Sequence, residues 1–369
     1  MHRHTGIFSA FFLTISKQPQ TGSFCGGKEG KMMKRRMMAA ILAVMMTAAA
    51  AGCGKGGETG TVYKVGIVRY VDDASLNQIE KAIGAELDAK GEELGVTFDY
   101  ADYTFNGQAD PSVLTQIAAD LLADEVDVII PIATPAAVVM QSAADESQTP
   151  IVFSAVSDPV GAGLVADLNA PGANITGTSD AIDTEAIFGL ILAADPDTAK
   201  VGLLYDKSQA SSLGSIESAK AFCDANNIAY IEKTGTTGAE VQAAADALVA
   251  AEVDAIFTPQ DNTIMTAELA IFEKFTEAGI PHYTGADSFA RNGAFCGYGV
   301  SYVELGTKTA DMAVDLLVNG ADPATTPVQT LERGIIMINT ETAEAVGIDY
   351  SVFSGMCSEL RETVTAESF

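Results

Sequence analysis

The residues of this chain that could do chemistry stand directly after short apolar runs. Seven such segments carry them: Arg69-Tyr70-Val71, Thr134-Pro135, Ser154–Asp158, Ser179-Asp180, Lys207–Ser212, Gln260-Asp261-Asn262 and Ala286-Asp287-Ser288. They are rich in hydroxyls, amides and carboxylates and poor in bases. Such a set suits the holding of a small polar solute. Hydroxyls and backbone N–H groups at a helix start take an anion without a basic side chain, and a carboxylate pairs with an ammonium. Thr134, Ser211 and Asn262 each adjoin a predicted helix start and are the candidates for the anion. The same residue types are the ordinary N-caps, so two roles stand for each, cap alone or cap plus ligand contact. Ser154, Ser179 and Ser208 add further hydroxyls. Asp158, Asp180, Asp261 and Asp287 are the candidate ammonium partners. Asp287 follows its apolar run directly and is the first choice, whereas Asp261, at a helix start, reads first as a cap. Tyr70 ends its run and is the expected apolar wall for an aromatic side chain. Phe153 lies inside its run and is expected in the core.

Catalytic constellations are missing from the sequence. There is no GxSxG elbow, no phosphate loop, no dinucleotide glycine pattern and no histidine–carboxylate constellation in the sequence pattern, which are the common carriers of nucleophilic, phosphoryl and hydride chemistry. Only His282 lies beyond residue 4. It follows Ile280-Pro281 in a strand-like run and reads as a structural histidine. Cys223, Cys296 and Cys357 are widely spaced with no CxxC pair, so zinc and redox motifs are absent and free thiols are the simplest reading. No enzyme activity, metal or cofactor is expected.

The N-terminal region reads as an address. Lys34-Arg35-Arg36 is followed by an uncharged run from Met37 to Gly52 and then by Cys53. A basic patch, a short apolar run and small residues make a secretory signal, and the run is shorter than the roughly 20 residues of a spanning helix. Ala50-Ala51-Gly52 before Cys53 resembles a bacterial lipobox, in which the cysteine is lipidated and becomes the mature N-terminus. The expectation is therefore an extracytoplasmic protein, lipid-anchored to the membrane through Cys53. Residues 1–31, with a separate apolar patch, fit no signal and read as upstream sequence ahead of a start at Met32 or Met33.

Seven of the 21 basic and one of the 49 acidic residues precede Cys53, leaving 14 against 48, a net charge of −34. Such a surface repels nucleic acid and anionic head groups, so nucleic-acid binding is excluded, and the charge favours a soluble monomer beyond its anchor.

The elements that must position the polar segments come in a repeated order. After a Gly-rich tether, apolar runs of buried-strand type alternate with amphipathic helical stretches, the pattern of a parallel sheet covered on both faces. KVGIVRY at 64–70 is echoed by KVGLLYD at 200–206, EVDVIIPI at 125–132 by EVDAIFTP at 252–259, and TPIV at 149–152 by IPHY at 280–283. The fold class is therefore α/β, with two similar doubly wound lobes. The expected division is residues 1–31 upstream, 32–52 signal, 53–61 tether, 62–175 plus 303–328 lobe 1, and 176–302 plus 329–369 lobe 2. Three crossings then form the hinge. In such sheets ligands bind beyond the carboxyl ends of the strands, which is where all seven polar segments fall.

Across Lys64–Ile348 the chain resembles bacterial solute-binding proteins of ABC importers, and within them the branch of tryptophan- and tyrosine-binding lipoproteins. Four stretches carry the resemblance: IATPAA at 132–137, IVFSAVSDPVGAGLV at 151–165, PGANITGTSD at 171–180 and PQDNT at 259–263. The strong acidity and the absence of tryptophan depart from the branch. The resemblance implies a type I periplasmic-binding-protein fold, capture of a small solute by hinge closure, and delivery to an ABC permease. Together with the polar segments it points to an amino acid, preferably aromatic. A purine or another small carboxylate stays open, and a sensory or adhesive lipoprotein or a carboxylate-based hydrolase on the same scaffold is the alternative.

Overall fold

The computed structural model of the chain describes residues 60–366, so the signal, Cys53 and most of the tether lie outside the described residues. The chain begins with β1 (Val62–Arg69), whose residues 65–68 are buried on both faces, as a central parallel strand requires. Then come α1 (Ala74–Leu94), β2 (Thr97–Asp99), β3 (Thr104–Asn106), α2 (Pro111–Ala123), β4 (Val128–Ile132), α3 (Thr134–Ala143), β5 (Ile151–Phe153) and β6 (Ile175–Ser179). A second series follows: α4 (Thr184–Ala194), β7 (Lys200–Tyr205), α5 (Ala210–Asn226), β8 (Ala229–Thr234), α6 (Gly238–Ala250), β9 (Ala255–Thr258), α7 (Asn262–Ala267), α8 (Phe272–Glu277), β10 (His282–Thr284), α9 (Asp287–Arg291) and β11 (Cys296–Gly299). The chain closes with α10 (Tyr302–Asn319), β12 (Gln329–Thr330), β13 (Ile335–Asn339), α11 (Thr340–Val346) and β14 (Glu359–Thr363).

Two sheets of seven strands result, ordered β12-β6-β5-β4-β1-β2, with β3 also on β1, and β14-β13-β11-β10-β9-β7-β8. Every pairing is parallel except β11 with β13. Two α/β lobes with parallel sheets are thus present. Helix α10 returns to pack on α1 of the first lobe. Gly306 makes that approach possible, because a Cβ there would lie 2.6 Å from the Ile79 carbonyl oxygen.

The lobe boundaries differ from the sequence expectation at two points. Residues 176–179, expected in the second lobe, belong with Ile175 to the strand β6 of the first sheet, in register with β5 through Ile151–Ile175, Val152–Thr176 and Phe153–Gly177. Gly177 allows this closeness, since any Cβ would collide with Phe153. The two-residue β12 then pairs with β6. The first lobe therefore runs to Ser179 and takes β12 as well as α10. A helical turn at Ala101–Tyr103 separates β2 from β3, and the two pair with successive parts of β1.

Candidate ligand-binding cleft

The carboxyl ends of the two sheets face each other across a cavity of about 40 Å3. Its first-lobe wall is Asp73, Ser75, Leu76, Ala133, Thr134, Ala155 and Ser157, and its second-lobe wall Ser211, Gln260, Asp261, Asn262, Met265, Ala286, Ser288 and Phe289. Asp180 and Tyr302, which stand at two of the crossings, complete it.

Helix starts decide which polar atoms are free. The N-cap of α3 is Ala133 and that of α5 is Gln209, neither with a side-chain capping bond. Thr134 and Ser211 lie just inside their helices, so neither hydroxyl is spent on a cap. Both are buried without a hydrogen-bond partner. Asn262 likewise is not the cap of α7, a role taken by Asp261; its amide donates to Gln209 Oε1 at 3.2 Å. Among the described residues eight buried side-chain polar atoms lack a hydrogen-bond partner, and four line this one cavity: Asp73 Oδ2, Thr134 Oγ1, Ser211 Oγ and Gln260 Oε1. Arg69 Nε and Glu80 Oε2 are two of the remaining four, and these form an ion pair with each other. Buried polar groups are normally satisfied because leaving them bare costs about 1–3 kcal/mol each. Their concentration here marks a surface shaped for something that binds.

The backbone adds a second sign. Ala133, between β4 and α3, has φ 81° and ψ 151°, and Ala155, just after β5, has φ 54°. Alanine in these regions is strained by about 1–3 kcal/mol, and such residues gather at ligand sites.

Electrostatically the cavity is acidic, with no lysine or arginine in its wall. Burial pushes the carboxyls of Asp73, Asp180 and Asp261 up to about 6. For Asp180 a hydrogen bond from Ser157 Oγ at 3.1 Å offsets part of that rise. The Tyr302 phenol is held well above its ordinary range, first by burial and then by Asp180, Asp287 and Asp73. Gln260 donates through Nε2 to the Asp180 backbone carbonyl, which leaves its Oε1 for the cavity.

Of the residues singled out from sequence, Thr134, Asp180, Ser211, Asp261 and Asn262 line the cavity. Asp261 is fully engaged: Oδ1 accepts from the Thr263 and Ile264 backbone N–H groups at 3.0 Å each, and Oδ2 from the Asp206 N–H at 2.7 Å and Ser212 Oγ at 2.6 Å. Asp158 and Ser179 line an adjoining groove that shares Ser157 and Ser211 with the cavity. Tyr70 and Ser208 line a side pocket that meets it at Thr134. Ser154 lies in neither; its hydroxyl is 2.8 Å from Thr309 Oγ1, seating α10 on the sheet. Asp287 sits at the lobe junction, outside the cavity wall. It accepts from Ser75 Oγ at 2.6 Å, Gln78 Nε2 at 3.2 Å and Arg291 Nη2 at 3.3 Å, tying α9 to the first turn of α1. The aromatic wall is Phe289 and Tyr302 rather than Tyr70, and Phe153 is fully buried in the core.

Asp73, Ser75, Leu76, Met265, Phe289 and Tyr302 were not singled out as contacts. Asp73 lies four residues past the end of β1 and caps α1. Gln260, Ser157 and Ser288 lay within the polar segments without being chosen. His282 is buried with Nδ1 2.9 Å from Glu268 Oε1 and Nε2 2.8 Å from Thr258 Oγ1, a core arrangement away from the cavity. Cys223, Cys296 and Cys357 are free thiols. Among the described residues no cluster of metal-ligating side chains occurs and no helix is long and apolar enough to cross a membrane.

Comparison with known proteins places this geometry in context. The family described as "ABC transporter substrate binding protein" matches residues 64–352. A tyrosine-binding protein of Clostridioides difficile (strain R20291) is 31% identical over 284 residues, covering 76% of this chain and 80% of that one. The structure of an ABC domain in complex with L-Trp from Streptococcus pneumoniae superposes with a TM-score of 0.74 at 30% identity, over 81% of this chain and 100% of that one. A ligand-free, open substrate-binding protein with adhesive properties from Clostridium difficile gives a TM-score of 0.63 at 28% identity, over 82% of this chain and 100% of that one.

Proposed function

This chain belongs to the family of ABC transporter substrate-binding proteins, and from that premise we propose that it captures an amino acid, preferably aromatic, between its lobes for an ABC importer. The observation that carries the reading is the set of four unpartnered polar atoms in one cavity, beside the Asp180 carboxylate. Asp180 pairs with the α-ammonium, with its lone pairs braced by Ser157. The Thr134 and Ser211 hydroxyls, each in the first turn of a helix of at least ten residues, take the α-carboxylate with the help of the helix N-terminal N–H groups. Leu76, Met265, Phe289 and the Tyr302 ring receive the side chain. The chain's likeness to a tyrosine-binding protein and to an L-Trp complex supports this choice of ligand.

The cavity also supports a closing mechanism. At about 40 Å3 it is smaller than the roughly 150 Å3 cavity that admits benzene. An aromatic solute therefore needs the lobes further apart than they stand here, both to enter and to be held, and closure over it stops at a wider cleft. Closure needs only tighter binding to the closed form and no bond chemistry. The higher TM-score to the L-Trp complex than to the open, ligand-free relative accords with lobes drawn together here. In this reading the protein is a monomer outside the cytoplasm, held by a lipid on Cys53, and delivers its solute to a permease.

A thermal-shift screen of the purified protein against amino acids, nucleosides and sugars tests the reading. A ligand at 100 times its dissociation constant adds about 2.7 kcal/mol of stability. Stabilisation by aromatic amino acids is expected; stabilisation by a nucleoside or sugar alone contradicts the ligand class. Adhesion is a second reading, favoured by the relative with adhesive properties. It predicts cell attachment that survives Asp180→Ala.

A further inference from the structure

We infer that Asp73 selects, among aromatic amino acids, those with a hydrogen-bond donor at the end of the ring, a phenol hydroxyl or an indole N–H, over a bare phenyl ring. The inference rests on the amino-acid reading above and goes further, by assigning the discrimination to one carboxylate oxygen.

The cavity wall has two unlike parts. At one, Asp180 accepts from Ser157 Oγ and its backbone carbonyl from Gln260, among hydroxyls and amides suited to an amino-acid head group. At the other, Asp73 and Leu76 occupy the start of α1. That start is tied to α9 by the 2.6 Å bond from Ser75 Oγ to Asp287, and α9 carries Phe289 into the same cavity. A ring packed on Leu76 and Phe289 therefore ends near Asp73.

Asp73 is 4% exposed. Its Oδ1 accepts from the Ser75 N–H at 2.9 Å and the Leu76 N–H at 3.1 Å, which caps α1. Its Oδ2 has no partner in hydrogen-bond geometry, and the Ser288 side chain on the same wall offsets only part of the effect of its burial. An ionised carboxylate oxygen can only accept. A phenyl ring placed against it displaces water and offers nothing in return, leaving a buried charge bare. A phenol or indole donates to it in a charge-assisted bond. Sites that hydrogen-bond a substrate group reject the analogue lacking it far more strongly than apolar pockets reject a missing methylene.

The experiment is calorimetric titration of the full chain with L-tyrosine, L-tryptophan and L-phenylalanine, for the wild type and Asp73→Ser. Serine keeps the helix cap but removes the second oxygen. In the wild type, tyrosine and tryptophan should bind roughly 10- to 100-fold more tightly than phenylalanine. In Asp73→Ser the three affinities should converge to within a few-fold. A wild-type ratio near one, or a ratio that persists in Asp73→Ser, overturns the assignment while leaving the amino-acid reading intact. Absence of binding by all three to a folded wild type overturns the amino-acid reading and this inference with it. Asp73→Asn gives an independent check. Its amide keeps the cap and presents a donor, so tryptophan should fall towards phenylalanine while tyrosine, whose oxygen accepts, retains part of its advantage.

Discussion

Asp73 and Asp261 look alike until their lone pairs are followed. Each stands just after a parallel strand, one in each lobe. Each caps the next helix with Oδ1, and burial pushes each up to about 6. Their second oxygens differ. Asp261 Oδ2 accepts from the Asp206 N–H and Ser212 Oγ, which ties three loops of the second lobe together. Asp73 Oδ2 has no partner in hydrogen-bond geometry, and only the neighbouring Ser288 side chain offsets part of the effect of its burial. Burial and a perturbed pKa thus do not separate a structural carboxylate from a recognising one; the unspent hydrogen-bonding capacity does. The same distinction holds among the hydroxyls, with Ser212 spent on Asp261 and its neighbour Ser211 open to the cavity.

Substitutions can break this contrast, and the largest effect is expected at Asp180. Asp180→Ala removes the ammonium partner in a buried site, where truncating one member of a charge pair costs about 2–5 kcal/mol. Affinity for the amino acid should fall by at least about 30-fold in calorimetry, while the ligand-free protein melts near its wild-type temperature. Next comes Asp261→Ala, which should act on stability. It removes a cap and leaves the buried Asp206 N–H and Ser212 hydroxyl unpartnered, a loss of about 3 kcal/mol or more. For a protein of this size that is a fall in Tm of roughly 6–12 °C.

Thr134→Ala and Ser211→Ala sharpen the contrast from the other side. Each should weaken binding by about tenfold. Neither should lower ligand-free stability, because each removes a buried group that has no partner to lose.

The smallest effect is that of pH. A carboxyl raised from its ordinary 3.8 to about 6 holds more protons when folded than when unfolded. Its protonated form therefore favours folding at low pH, and that contribution is lost as pH rises through about 6. Binding an ammonium has the opposite demand, since it needs the ionised form. The dissociation constant should be flat above pH 7 and rise towards tenfold per unit below about 6. An affinity unchanged down to pH 5 would move the ammonium away from Asp180.

Much of the architecture was legible because parallel strands buried on both faces announce themselves. Runs such as Val65–Val68 and Val128–Ile132 have no polar face, and their alternation with helices leaves little choice of sheet type. The segments lining the cleft followed from the rule that ligands bind at the carboxyl ends of such strands. The division of labour within those segments was not legible, because it turns on single-residue shifts. Thr134 and Ser211 become free only because α3 begins at Thr134 and α5 at Ala210, which puts Thr134 one position and Ser211 two positions past the cap. That β6 belongs to the first sheet was not legible, because it turns on Gly177, whose missing side chain is what lets β6 lie against Phe153. Phe289 and Tyr302 join the cavity from elements more than 200 residues after Asp73, a juxtaposition set by tertiary packing and invisible to local pattern.

The most direct test of the central claim, that the unpartnered atoms of this cavity are the ligand's partners, is a crystal structure of the protein grown with L-tyrosine. The ammonium is expected within about 3 Å of the Asp180 carboxylate, the ligand carboxylate on Thr134 Oγ1 and Ser211 Oγ, and the phenol oxygen on Asp73 Oδ2. A ligand whose ammonium lies on Asp287 or Asp261, with Thr134 and Ser211 still unpartnered, would contradict it.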